Sequence, residues 1–111
     1  MYLIFNEALK YDTVNEIISM TSYDTVYTDK NGNEKTLSVK NTNQYLAGNV
    51  AAPDRVTVIG GKTGTTSAAG NCLILLARDT SGNPYIAVIL KSAERGILYT
   101  EMNALLEQAT S

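Results

Sequence analysis

The sequence predicts an α+β fold, an antiparallel sheet covered by helices, and three observations carry that expectation. Two apolar runs, Asn71 to Ala77 and Tyr85 to Leu90, are separated by a Ser81-Gly82-Asn83-Pro84 turn. A polar, alternating stretch folds back on itself around Asn31-Gly32. Stretches with apolar residues at helical spacing stand at both ends. Strands that are apolar without alternation are usually covered on both faces, so helices must pack on the sheet.

The elements follow in order. Residues 2–10 read as a helix with Leu3, Ile4 and Ala8 on one side. Thr13-Val14-Asn15-Glu16 has the form of a capping box, and Val14, Ile17 and Ile18 follow at i, i+3, i+4, which predicts a short helix over 13–20. Tyr23 to Thr28 is rich in Thr, Tyr and Val, residues that favour strands. Lys30-Asn31-Gly32-Asn33 supplies a turn, because Asn-Gly accepts positive φ, and Thr36 to Lys40 returns as the second strand of an inserted hairpin. Residues 41–46 lead into a loop around Gly48 and Pro53. Val56 to Ile59 then opens a strand that runs into Gly60-Gly61-Lys62-Thr63-Gly64-Thr65. A last helix is expected over 93–109, with Ser92 as its N-cap and Leu98, Met102, Leu105, Leu106 and Ala109 as its apolar stripe.

At 111 residues the expectation is one domain, 1–111. The formal charge of -2 and the scattered lysines give no basic stripe, so nucleic acid is not expected as a partner. With no histidine and one cysteine, Cys72, a His/Cys zinc site, a Ser-His or Cys-His pair and an internal disulfide are all excluded. No metal or other cofactor is implied. Any hydrolytic chemistry must use lysine, a carboxylate or a hydroxyl as its base. No apolar run reaches the length of a membrane span, and residues 1–5 lack a basic leader, so neither signal nor anchor is expected within this chain. The chain opens inside a helical pattern, which suggests a piece of a longer polypeptide.

The chemistry is concentrated in residues 60–73. Gly61-Lys62-Thr63 matches the end of a phosphate loop, but the leading glycine of that motif falls on Val56, and a strand follows where the motif requires a helix. The same residues fit the K-T-G box of penicillin-recognising serine enzymes. Strand alternation sends Lys62 and Thr63 to opposite sides. Lys62 can bring a positive charge beneath a reacting centre, and Thr63 can offer its hydroxyl to a carboxylate. Gly64 lets a substrate backbone lie against the strand, whose free edge can pair with an extended peptide. The N–H of Thr65 can serve an oxyanion hole. Three residues recur by chance, so K-T-G alone is more simply read as a glycine-marked bulge beside a solvated lysine.

The match is longer than three residues. Lys62 to Leu73 is similar to the K-T-G-x-T-x-x-A-G-x-C-L run of D-alanyl-D-alanine carboxypeptidases, the S11 penicillin-binding peptidases, and Asn41-Thr42-Asn43 with Leu46 resembles their N-T-N-x-L-L segment. The resemblance implies the C-terminal portion of a β-lactamase/transpeptidase-like catalytic domain. It implies that Lys62 and Thr65 act in catalysis, through the proton network and the oxyanion hole. Thr63, Gly64 and Arg95 would bind substrate, a peptidoglycan peptide or a β-lactam, outside the cytoplasm. Asn43 is expected to fix its loop, and Cys72 to lie in the core. The chain departs from the family pattern in one respect: it contains no S-x-x-K, and no S-x-N precedes Lys62. The expectation is a fragment that is inactive alone. The missing N-terminal segment of the same domain would be its partner, and without it the apolar faces of residues 71–77 and 85–90, together with the first helix, would be left exposed and the chain would pair as a homodimer. The alternative is a stand-alone binding or assembly module; an in-frame S-x-x-K upstream distinguishes the two.

Overall fold

The structure, a computed structural model, describes residues 1–110. The elements are α1 (Tyr2–Ala8), α2 (Asp12–Ser19), β1 (Ser22–Thr28), β2 (Glu34–Lys40), β3 (Thr57–Thr66), β4 (Gly70–Arg78), β5 (Pro84–Ser92) and α3 (Arg95–Thr110). β1 and β2 form an antiparallel hairpin of their own, and β3-β4-β5 form an antiparallel sheet with β4 in the centre.

Strand β4 explains the layering. Leu73, Leu75 and Ala77 point to one face and pack with Ala87 of β5 and with Leu98, Tyr99, Met102 and Leu106 of α3. Ile74 alternates to the other face and is 5% exposed there. On that second face α1 contributes Phe5, its one buried residue. Helix α2 buries no side chain completely. It instead brings its backbone against β3: a Cβ added to Gly60 would lie 2.6 Å from the Ile18 carbonyl oxygen. Beside it, β3 carries a bulge between Val58 and Gly60. A second irregularity lies between Asn71 and Leu73 opposite β5, where Lys91 takes φ 59 and Gly70 packs against the Lys91 backbone.

The β1–β2 and β4–β5 hairpins turn by the same device. Asp29 Oδ1 accepts the N–H groups of Asn31 and Asn33, and Asp79 Oδ1 accepts those of Ser81 and Asn83. Gly32 and Gly82 supply the positive φ that each turn requires. The Asn83 side chain leads the bonds that hold the Asp79 carboxyl below its usual range. Each turn is thus closed within five consecutive residues, Asp29 to Asn33 or Asp79 to Asn83, and the second gains one bond more, from the Tyr85 hydroxyl to Asp79 Oδ2 at 3.2 Å.

Three local expectations change. Helix α2 begins at Asp12 with Tyr11 as its N-cap, and no side chain caps it. The Asn15 amide, one turn in, donates instead to the Leu9 and Tyr11 carbonyls, so Thr13 to Glu16 makes no capping box. Ser92 ends β5 rather than capping α3, because its hydroxyl is taken by the Glu101 carboxylate at 2.6 Å. In α3 the stripe passes through Tyr99, and Leu105 is left 37% exposed.

The expected exposure of the apolar strands is also corrected. Leu73, Ile74, Leu75, Ala77 and Ala87 are buried, because the three helices cover both faces. The bare apolar surface lies one layer out, on α1, α2 and the hairpin: Leu3 is 78% exposed, Ile4 68%, Ile17 59% and Tyr23 51%. Tyr23 pairs with Val39 and Thr25 with Leu37, so one face of the hairpin continues this surface.

Gly60 and Gly64 predict opposite outcomes. Gly60→Ala must push α2 off the strand and is expected to cost about 2 kcal/mol in urea denaturation, as overpacking does. A Cβ at Gly64 meets nothing within 4 Å, so Gly64→Ala is expected to leave the midpoint nearly unchanged.

Candidate functional site

The K-T-G residues lie on β3, an edge strand of the three-stranded sheet. The register sets Thr63 opposite Leu73, Gly64 opposite Cys72 and Thr65 opposite Asn71. Thr63 and Thr65 therefore stand on the α3 side of the sheet, and Lys62 and Gly64 on the other. Lys62 is long enough to return over the edge, and its ammonium donates to the Thr63 carbonyl. Thr65 donates from its hydroxyl to Asn71 Oδ1 at 3.3 Å, and Asn71 in turn donates to the Ser92 carbonyl.

A cleft of about 730 Å³ opens along this edge. Lys62, Thr63, Thr65 and Arg95, the first residue of α3, all line it. Gly64 is exposed between them and, having no side chain, leaves the strand open at that point. No carboxylate lines the cleft. The one salt bridge among the described residues, Lys10 to Glu7 at 2.7 Å, involves neither cleft cation. Two cations and two threonine hydroxyls facing a space without acids suit an anionic ligand. Among the described residues no cluster of His, Cys, Asp or Glu could hold a metal ion.

The opposite wall is the loop of residues 41–51. Thr42 and Gln44 line the cleft, and the Thr42 and Thr63 hydroxyls are 2.6 Å apart. Asn41 donates to the Met20 carbonyl at the end of α2. Asn43 is completely buried, and its Oδ1 accepts the Tyr45 N–H at 3.1 Å, so it fixes the loop from within. The Gln44 N–H donates to the Tyr99 hydroxyl, Tyr45 donates to Asn103 Oδ1 at 2.8 Å, and the Asn103 amide donates to the Ala51 carbonyl. Tyr45 and Tyr99 also meet edge to face, ring centroids 5.3 Å apart. Asn, Thr and Gln at 41–44 were the available signal, since such side chains bond to backbone and build ordered loops.

Two other residues lie where the motifs do not put them. Cys72 is half-buried and lines the cleft, its Sγ 3.4 Å from the Ala69 carbonyl oxygen, rather than sitting in the core. Ser81-Gly82-Asn83 spells S-x-N but is the β4–β5 turn, at the end of the sheet away from Lys62.

This arrangement is part of a DD-transpeptidase-like fold. An arginine-to-leucine mutant of the Streptomyces K15 DD-transpeptidase superposes with a TM-score of 0.74 at 25% sequence identity. The match covers 89% of this chain and 36% of that one, so the chain spans a little over a third of the transpeptidase. A family model described as D-alanyl-D-alanine carboxypeptidase matches residues 2–94, and the chain belongs to that family. No curated protein matches the chain.

The loop's anchoring is expected to be visible at high pH. Burial first, and then the neighbouring Tyr99, pushes the Tyr45 phenol up to about 12 from an ordinary 10.0. Its folded pKa is raised, so its contribution to stability is complete below pH 10 and lost as pH rises from 10 towards 12. Tyr45→Phe should lower stability at pH 8 by about 1 kcal/mol, one hydrogen bond, and flatten the fall between pH 10 and 11 in denaturation midpoints.

Proposed function

We propose that this chain is the K-T-G side of the catalytic domain of a serine-type D-alanyl-D-alanine carboxypeptidase. The parent would remove the terminal D-alanine of peptidoglycan pentapeptides through an acyl-serine intermediate, outside the cytoplasm in the cell envelope. The observation that carries the reading is the acid-free cleft along the edge of β3, lined by Lys62, Thr63, Thr65 and Arg95. The peptide would lie extended against this edge, pairing by main-chain hydrogen bonds past Gly64. Thr63 and Arg95 would hold its terminal carboxylate. Lys62 would keep a positive charge and a proton donor beneath the reacting carbonyl. The Thr65 N–H would stabilise the oxyanion as the carbonyl becomes tetrahedral. A β-lactam would occupy the same positions.

The attacking serine and its activating lysine are not among these residues, since no S-x-x-K occurs in the chain. The partner of this piece is therefore a segment of the same domain that carries them. The bare apolar layer on α1, α2 and the hairpin supports such a partner. Without it, pairing with a second copy is the simplest way to cover that layer.

Two outcomes are expected. After incubation with a fluorescent penicillin the intact mass of the chain should be unchanged; a stoichiometric gain of one ligand would show an activated nucleophile within it and sink the reading of an incomplete site. In light scattering at micromolar concentration the chain should be a dimer, and a stable monomer of 12.0 kDa would refute the argument from the bare layer.

A further inference from the structure

We infer that Thr42 is a positioning residue: it donates its hydroxyl proton to Thr63 and so turns the Thr63 proton towards a carboxylate in the cleft. The inference rests on the reading of Thr63 as a carboxylate-binding residue. It adds that the loop opposite β3 is part of the ligand site.

The two hydroxyl oxygens are 2.6 Å apart, close enough for a strong hydrogen bond, and either oxygen can be the donor. The choice matters because a hydroxyl has one proton and two acceptor lone pairs. If Thr63 donates to Thr42, its only proton is used within the protein and it can offer an incoming carboxylate nothing but lone pairs. If Thr42 donates, Thr63 accepts and its own proton is free to point into the cleft. A carboxylate is acceptor-only, so its arrival selects the second arrangement. A hydroxyl that is accepting a bond is also polarised into a better donor.

Thr42 is suited to this because its side chain is exposed at the cleft while its backbone is held from both sides. Upstream, Asn41 is bound to the end of α2 through Met20 and accepts the Asn43 N–H at 2.9 Å. Downstream, Asn43 is fully buried and the Gln44 N–H is bound to Tyr99. The Gln44 side-chain amide donates to the Thr42 carbonyl itself at 3.1 Å, and Gln44 is steadied in turn by Asn49 at 2.7 Å. A mobile loop would lose the alignment; this one is preorganised by bonds to α2, to α3 and within itself.

The competing account is that the pair merely ties the loop to the strand. N-acetyl-D-alanyl-D-alanine and its C-terminal amide, titrated into the isotopically labelled chain and followed by backbone amide shifts, separate the two. The dipeptide is expected to move residues 62–65 and 95 in the wild type and, with the same midpoint, in Thr42→Ser. Thr42→Val, similar in shape but without the hydroxyl, is expected to bind about twofold more weakly, since Thr63 keeps its proton but loses the bond that orients and polarises it. The amide-capped peptide should bind wild type and Thr42→Val alike, and the shifts of Asn43 and Tyr45 in the free chain should not change. Equal binding of the dipeptide by wild type and Thr42→Val overturns the inference while leaving Thr63 as the carboxylate site. Equal weakening for both peptides also overturns it, since Thr42 would then act by shape alone. If the dipeptide leaves residues 62–65 of the wild type unmoved, the carboxylate-site reading fails and this inference with it.

Discussion

Strand β4 cannot meet water on either face, and the rest of the molecule is arranged around that constraint. Leu73, Leu75 and Ala77 require one cover and Ile74 another, so α3 is laid on one side of the sheet and α1 with α2 on the other. A strand covered on both faces also seeks partners along both edges, and β3 and β5 supply them by hairpin connections. That fixes β3 as an outer strand. The K-T-G residues face an open edge because the apolar strand beside them takes the centre. Gly60 is a consequence of the same packing: α2 can lie flat on β3 only where the strand has no Cβ.

The sequence made the strands and turns legible because their causes are local. Asn31-Gly32 and Ser81-Gly82 announce positive φ, and the runs at 71–77 and 85–90 announce double burial before any partner is known. The family likeness was legible for a similar reason, since its signal is contiguous over residues 62–73. The failures have tertiary causes. Ser92 resembles an N-cap by position, but the Glu101 carboxylate, two turns into α3, takes its hydroxyl. Leu105 resembles a core leucine by type but is left 37% exposed, and Tyr99 takes a place in the core cluster instead. The loop wall of the cleft is not legible as a wall because the bonds that place it, from Asn41 to Met20, from Gln44 to Tyr99 and from Tyr45 to Asn103, reach elements remote in sequence.

The burial map divides the chain into unequal parts. From Val56 onward the large apolar side chains mostly find cover, with Leu90, Ile97 and Leu105 the exceptions. Before it, α1, α2 and the hairpin carry apolar side chains outward, and none of α2 is fully buried. Helices α1 and α2 have the sheet beneath them and carry the bare apolar side chains above. The K-T-G edge does not depend on that outer layer directly. It depends on α2 through Gly60, and on the loop that Asn41 ties to the end of α2.

The bonds that build the loop wall also set a timetable. The hairpin turns close rings of a few residues, whereas Gln44 to Tyr99, Tyr45 to Asn103 and Asn103 to Ala51 join positions 55, 58 and 52 residues apart. Closing a long ring forfeits more chain entropy than closing a short one, and these contacts become worthwhile only once the sheet and α3 have already met. The β1–β2 and β4–β5 hairpins can form early and separately, each under the control of its own aspartate. The cleft, held together by its most distant partners, is completed late each time the chain folds and is among the first features to open when it loosens.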